Sequence, residues 1–164
     1  MIGAETIPAS GIWSSAKRIY GKVLESSMSP TNEIAPFPSN DFSDEYKIVM
    51  AVDGLIMITQ YDICWRDDIF NGWDYYDISQ CMEFYKYGYQ VCVPKQNDFW
   101  CIHDCGKVNL KDYDKYRRIF LKEYSSDLFT FGKLAPMLYD WNKKLRPYQK
   151  KVETAIKRLC RSNK

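Results

Sequence analysis

The chain has 164 residues, a formal net charge of +2, 46% hydrophobic and 16% aromatic residues. That is the composition of a folded protein, long enough for one domain with a core or for half of a larger one. No apolar run reaches the length of a membrane span, which excludes a spanning helix and leaves a soluble or peripheral protein.

Met1-Ile2-Gly3-Ala4-Glu5 has neither a basic start nor an apolar h-region, so no secretory signal is read there. A cytoplasmic, reducing location is expected, with Cys64, Cys81, Cys92, Cys101, Cys105 and Cys160 as free thiols. Ile7-Pro8-Ala9-Ser10-Gly11 is a turn-rich entry, and a short helix is expected around 14–20, closed by Gly21. Residues 26–43, with Pro30, Pro36 and Pro38, read as an irregular surface connection.

Residues 48–60 form the most β-like stretch, a near-continuous apolar run suited to a strand buried on both faces. Asp53-Gly54 interrupts it, as either a structural bulge or a close backbone approach to a ligand. Asn71-Gly72 marks a turn before the central segment, where Asp74 and Asp77 flank Tyr75 and Tyr76. A helix is expected over 77–87: Asp77 or Ser79 can cap it, Ile78, Cys81, Met82 and Tyr85 share a face, and Gly88 supplies the residue after its end. Asp77 there is a general base at the mouth of a cleft or simply a cap.

Short strands are expected at 89–94 and 99–103. Cys101-Ile102-His103-Asp104-Cys105 falls short of a closed zinc site, which takes four ligands, because no second Cys/His pair accompanies it. The helix expected over 111–124 carries Tyr113, Tyr116, Phe120 and Tyr124 at helical spacing. Strand, turn and helix alternate, as in α/β layers.

From Lys133 to Lys164 there are ten Lys or Arg against Asp140 and Glu153, so this tail carries +8 and the rest of the chain −6. Leu134, Leu138, Trp141, Leu145, Tyr148, Val152, Ala155 and Leu159 make an apolar stripe, and Pro147 divides it into two helices. The stripe suits packing on its own domain, on a second copy or on a partner chain. Its lysines also suit peripheral contact with anionic lipid. No base-reading motif interleaves the basic residues, which argues against nucleic acid. We therefore divide the chain into a domain over 1–128 and a basic helical tail over 129–164.

Several motifs occur in a recognisable order: Val52-Asp53-Gly54-Leu55-Ile56-Met57, Trp65-Arg66-Asp67-Asp68, Gly72-Trp73-Asp74-Tyr75-Tyr76-Asp77-Ile78-Ser79-Gln80, Gly88-Tyr89-Gln90-Val91, Val93-Pro94 and Trp100-Cys101-Ile102-His103-Asp104. Over roughly 1–125 the series resembles the acceptor-side half of family-2-type glycosyltransferases. The nearest branch is the bacterial glycosyltransferase-like domain first named for a streptomycin-biosynthesis protein. The resemblance implies the C-terminal portion of a GT-A-like α/β fold, a mixed sheet flanked by helices. It implies inverting transfer of a sugar from a nucleotide-sugar to the hydroxyl of a glycan or other acceptor.

Asp77 stands at the family's distance from the Gly-Tyr turn, which makes it the general base. His103 matches the family histidine near the diphosphate and its divalent cation, Mn²⁺ or Mg²⁺. A core histidine satisfied by hydrogen bonds is the other reading of that residue. The resemblance also implies that Asp53 and Gly54 line the sugar cleft beside Asp74, that Trp65, Trp73 and Trp100 stack on sugar or nucleotide rings, and that Arg66 holds a hydroxyl or carboxylate. The family's nucleotide-binding half, with its Asp-x-Asp motif, is expected to precede the first residue here and to be supplied elsewhere. Asp112-Tyr113-Asp114 falls instead in the first turn of an expected helix, where it serves the helix end. The alternative of a different class is a non-catalytic carbohydrate- or partner-binding module that keeps the aromatic cleft.

Overall fold

Eight short strands and two helices form the described part of the chain, which in this computed structural model comprises residues 1–26, 33–104 and 110–128. The strands are β1 (Ile2–Ala4), β2 (Ile19–Gly21), β3 (Leu24–Glu25), β4 (Ala35–Pro36), β5 (Tyr46–Ile48), β6 (Ala51–Val52), β7 (Cys92–Pro94) and β8 (Ile102–His103). The helices are α1 (Tyr76–Lys86) and α2 (residues 113–128). All described residues belong to the unit Met1–Leu128. The basic tail, Cys105 and Cys160 lie outside them. The architecture is mixed α/β, small sheets with two helices, consistent with a partial GT-A-like domain.

β1 is buried throughout and lies between β2 and β6, antiparallel to both. β3 lies between β4, antiparallel, and β8, parallel, while β5 pairs with β7. Ile2, Ile19 and Val23 form a core cluster against which Trp13, Phe37 and Leu55 pack. Val93 of β7 is fully buried, and a Cβ on Gly3 would come within 2.9 Å of it, so glycine lets the two layers close together.

The helix expected over 14–20 is absent. Only a 3-10 turn at Trp13–Ser15 forms there, and Ile19 and Tyr20 are strand residues paired with Ala4 and Gly3. Branched and aromatic side chains suit a buried pleated surface, and that pairing outweighs the weak local helix preference. Gly21 is therefore no helix terminator. Its φ is +101°, and a Cβ there would strike the Met1 carbonyl.

The single long strand expected over 48–60 is also corrected. The chain leaves β5 at Val49, whose N–H still donates to Val91 O at 3.1 Å, and joins β1 at Met50, whose N–H donates to Ala4 O at 2.8 Å. After Val52 it turns, because the Asp53 carboxylate accepts the Leu55 N–H at 3.1 Å.

α1 ends as expected. The Tyr89 N–H donates to Phe84 O at 3.0 Å, the Gly88 N–H to Tyr85 O at 2.8 Å, Gly88 has φ +81°, and the Phe84 and Tyr89 rings meet edge-on at 5.8 Å. This is a complete Schellman ending with its apolar contact. The start differs from expectation. Neither Asp77 nor Ser79 caps α1; the capping position is Tyr75, in left-handed backbone at φ 65°. Such a backbone costs a non-glycine residue about 1–2 kcal/mol. Tyr75 is held in it by its hydroxyl, which donates to Gly11 O at 2.8 Å, and by ring contacts to Tyr113 and Phe120.

α2 turns the expected stripe inward: Tyr116, Phe120 and Tyr124 are buried, and the Tyr124 hydroxyl donates to Glu83 of α1 at 2.7 Å. Among the described residues, Cys64, Cys81, Cys92 and Cys101 are free thiols, and no helix is long and apolar enough to cross a membrane.

Candidate functional site

The end of β6 and the start of α1 meet through one carboxylate. Asp77 lies in the first turn of α1, where the helix dipole favours negative charge. Its Oδ2 accepts the Gly54 N–H and its Oδ1 the Ile78 N–H, both at 2.8 Å. The carboxylate is thus pinned at both oxygens. Burial, reinforced by the charge of Asp53, pushes its pKa up to about 6, and the backbone N–H groups pull in the other direction. Burial also raises the Asp53 carboxyl, against the opposing pull of the Leu55 N–H and of His103. Asp53 thus acts electrostatically on Asp77 and is itself acted on by His103.

Aromatic rings flank this carboxylate. The Tyr76 ring lies 6.0 Å from that of Trp65 and 5.7 Å from that of Trp73, and Trp73 is 85% exposed. The Tyr76 hydroxyl occupies the space in which a Gly54 Cβ would sit. The close approach expected at Asp53-Gly54 is thus made by a side chain of the protein itself. Residues 1–124 match the family described as glycosyltransferase-like.

The chain belongs to that family.

No curated protein and no solved structure matches it. In this glycosyltransferase-like chain the other residues singled out in the sequence are dispersed. Arg66 is engaged by Asp68 and Glu123, each at 2.8 Å, with Glu83 at 3.8 Å, and Glu83 belongs to α1. Asp74 is half-buried and raised by burial, and its electrostatic neighbour is Asp112 rather than Asp53. Trp100, 46% exposed, precedes β8. Asp114 binds Arg117 and Arg118 within α2, so half of the Asp-x-Asp serves that helix.

His103 pairs in register with Glu25 across β8 and β3, with Nδ1 3.9 Å from Glu25 Oε1. Among the described residues no three His, Cys, Asp or Glu side chains converge as a metal group. An imidazole and a carboxylate nevertheless suit a hard divalent ion that completes its shell with phosphate oxygens and water. Sequence reasoning missed Tyr76 and Glu25. Tyr76 adjoins Asp77 and could have been found by asking what packs on Gly54, whereas Glu25 carries no local signal.

Gly54→Ala tests this geometry. The added methyl overlaps the Tyr76 hydroxyl, so a loss of about 1–3 kcal/mol is expected in urea unfolding. Part of that loss should be recovered in the Gly54→Ala/Tyr76→Phe double variant, which removes the hydroxyl but keeps the ring Cζ 2.7 Å from the added methyl, and an unchanged deficit there would place the strain elsewhere.

Proposed function

We propose that the chain transfers a sugar from a nucleotide-sugar donor to an acceptor hydroxyl with inversion at the anomeric carbon, in the manner of the bacterial streptomycin-type, family-2, GT-A enzymes, and that Asp77 is its general base. One observation supports this most: a carboxylate at a helix start, fixed by two N–H donors, with a pKa of about 6. Such a group is mostly ionised at neutral pH yet basic enough to take a proton. As the acceptor oxygen bonds to the anomeric carbon, Asp77 takes the hydroxyl proton and the nucleoside diphosphate departs from the opposite face. Trp65, Trp73 and Tyr76 offer flat surface to a sugar ring. His103, with Glu25 beside it, would hold Mn²⁺ or Mg²⁺; a bound ion of this kind neutralises charge on a departing diphosphate.

The test is thermal unfolding with UDP, GDP and dTDP and their sugars, with and without Mn²⁺. A native-state ligand at a hundredfold excess over its Kd adds about 2.7 kcal/mol of stability, so a metal-dependent shift with one nucleotide is expected. Absence of any shift would favour the second reading, a carbohydrate-binding module, to which the exposed rings around Tyr76 also lend support. Cytoplasmic residence, self-association and peripheral membrane contact through the tail are further parts of the proposal. Deleting 134–164 and measuring solution mass and lipid association tests the last two.

A further inference from the structure

A small polar hollow lies where residues 21–22, 40–42 and 95–97 meet, and it includes no residue of the site around Asp77 and none of the rings that flank that site. Its volume is about 160 Å³, room for roughly five groups the size of a water molecule at ~30 Å³ each. Gln96 ties its walls together: only 5% exposed, it accepts the Lys22 N–H with Oε1 and donates from Nε2 to Lys22 O, both at 3.0 Å. Asn40 is fixed as well, its N–H donating to Ile19 O at 2.6 Å and its Oδ1 accepting the Ile19 N–H at 3.1 Å. The hollow is therefore preformed.

Its charges are not spent on one another. Lys22, Lys95 and Asp41 all line it, and none of the three forms an ion pair among the described residues. Lys22 Nζ donates instead to Asn97 O at 3.1 Å, on the rim, and Lys95 Nζ to Ser43 O at 3.4 Å. An ammonium has three donors, so each lysine keeps two uncommitted, and Asn40, whose oxygen is taken, adds the N–H groups of its Nδ2. Against these donors stands one acceptor-only group, the Asp41 carboxylate.

Two cations and one anion leave the hollow net positive, which favours an anionic guest. The carboxylate sets a second condition. The guest must bring a proton to share with it, or like charges face each other. Phosphate meets both conditions and the volume, because it keeps a P–OH at neutral pH; sulfate has the same shape and no proton.

We propose that this hollow binds a phosphate group, with Lys22, Lys95 and Asn40 donating to its oxygens and Asp41 accepting its P–OH. The inference does not rest on the role of Asp77. It makes Asp41 the specificity residue: the lysines attract an oxyanion, and the carboxylate selects one that carries a proton.

The experiment is calorimetric titration of the full chain at neutral pH and low salt with inorganic phosphate, sulfate and glycerol 3-phosphate. The wild type is expected to prefer phosphate to sulfate about tenfold or more, the size of one charge-assisted hydrogen bond exchanged for a repulsion. Asp41→Asn, whose amide can donate to either ion, should reduce the preference to about twofold or less. Lys22→Met and Lys95→Met, which keep most of the side-chain stem, should each weaken phosphate about tenfold, whereas Lys115→Met, on α2 and outside the hollow, should leave it unchanged. Tighter binding of glycerol 3-phosphate than of phosphate would assign the hollow to a phosphate ester, and weaker binding to the free ion. The proposal is overturned by no phosphate binding or by equal affinity for sulfate in the wild type. A preference retained in folded Asp41→Asn, or a loss in Lys115→Met as large as that in Lys22→Met, overturns it as well. Should Lys22→Met fail to fold by circular dichroism, Lys95→Met and Asp41→Asn decide.

Discussion

Asp77→Asn is expected to lower turnover of the cognate nucleotide-sugar by about 10²–10⁴-fold, the usual contribution of a positioned base. The fold should survive, because asparagine is nearly isosteric and its oxygen can still accept one of the two N–H groups that now bind Asp77. The pH dependence separates a base from a plain structural aspartate. With a folded pKa of about 6 against an ordinary value of 3.8, the wild-type rate should fall about tenfold per pH unit below 6, since only the ionised form takes a proton.

Stability should move in the same window with a defined sign. A carboxyl whose folded pKa is raised holds its proton longer in the native state than in the unfolded chain. Its contribution is therefore complete below about pH 4 and is lost as pH rises through 6, by up to about 3 kcal/mol. The asparagine variant lacks this loss. Beyond a constant offset from the N–H that loses its acceptor, wild type should weaken relative to the variant between pH 4 and 7. Parallel stability curves would show that Asp77 is not held in the raised state. A variant that keeps sugar affinity and never turned over would mark a binding module.

What the sequence made legible followed from local chemistry. Gly88 after an apolar-faced segment specified the end of α1, and the spacing of Tyr116, Phe120 and Tyr124 specified the buried face of α2, because each signal lies within a few residues of what it determines. Asp77 could be placed near a helix start for the same reason, although its role as cap was wrong: the left-handed Tyr75 ends the preceding loop and turns the carboxylate toward Gly54.

What was not legible depended on partners far away in the chain. Ile19 and Tyr20 are strand residues only because β1 needs an edge partner. The beginning of the stretch 48–60 divides between two sheets because Val91 and Ala4 claim the adjacent N–H groups of Val49 and Met50, and the strand ends at Val52. Glu25 meets His103 only through a parallel pairing, held nearby by Ser26 Oγ, which donates to Asp104 Oδ1 at 2.8 Å across 78 positions. The same holds for the electrostatic influence of Asp53 on Asp77, which exists because α1 packs on β6, where the Val52 N–H donates to Cys81 Sγ at 3.4 Å.

The other large effect is expected far from any reacting atom. Phe120 is fully buried, with its ring 5.3 Å from Tyr75 and 5.2 Å from Tyr124. Phe120→Ala should cost about 3–5 kcal/mol in urea unfolding, from lost transfer energy and an uncollapsed cavity. Its second consequence is specific to this fold. Tyr75 keeps a costly left-handed backbone because its ring is gripped by Tyr113 and Phe120 and its hydroxyl by Gly11. Loosening that grip lets the first turn of α1 relax toward ordinary backbone, and the first turn is what aims Asp77 at Gly54.

Turnover measured well below the unfolding transition should therefore fall along with stability in Phe120→Ala, and recover in part in Phe120→Leu, which refills most of the cavity. A destabilised variant with unchanged turnover would show that Phe120 supports the core without orienting the carboxylate. The strain at Tyr75 would then be maintained by the Gly11 hydrogen bond and the Tyr113 ring contact without Phe120.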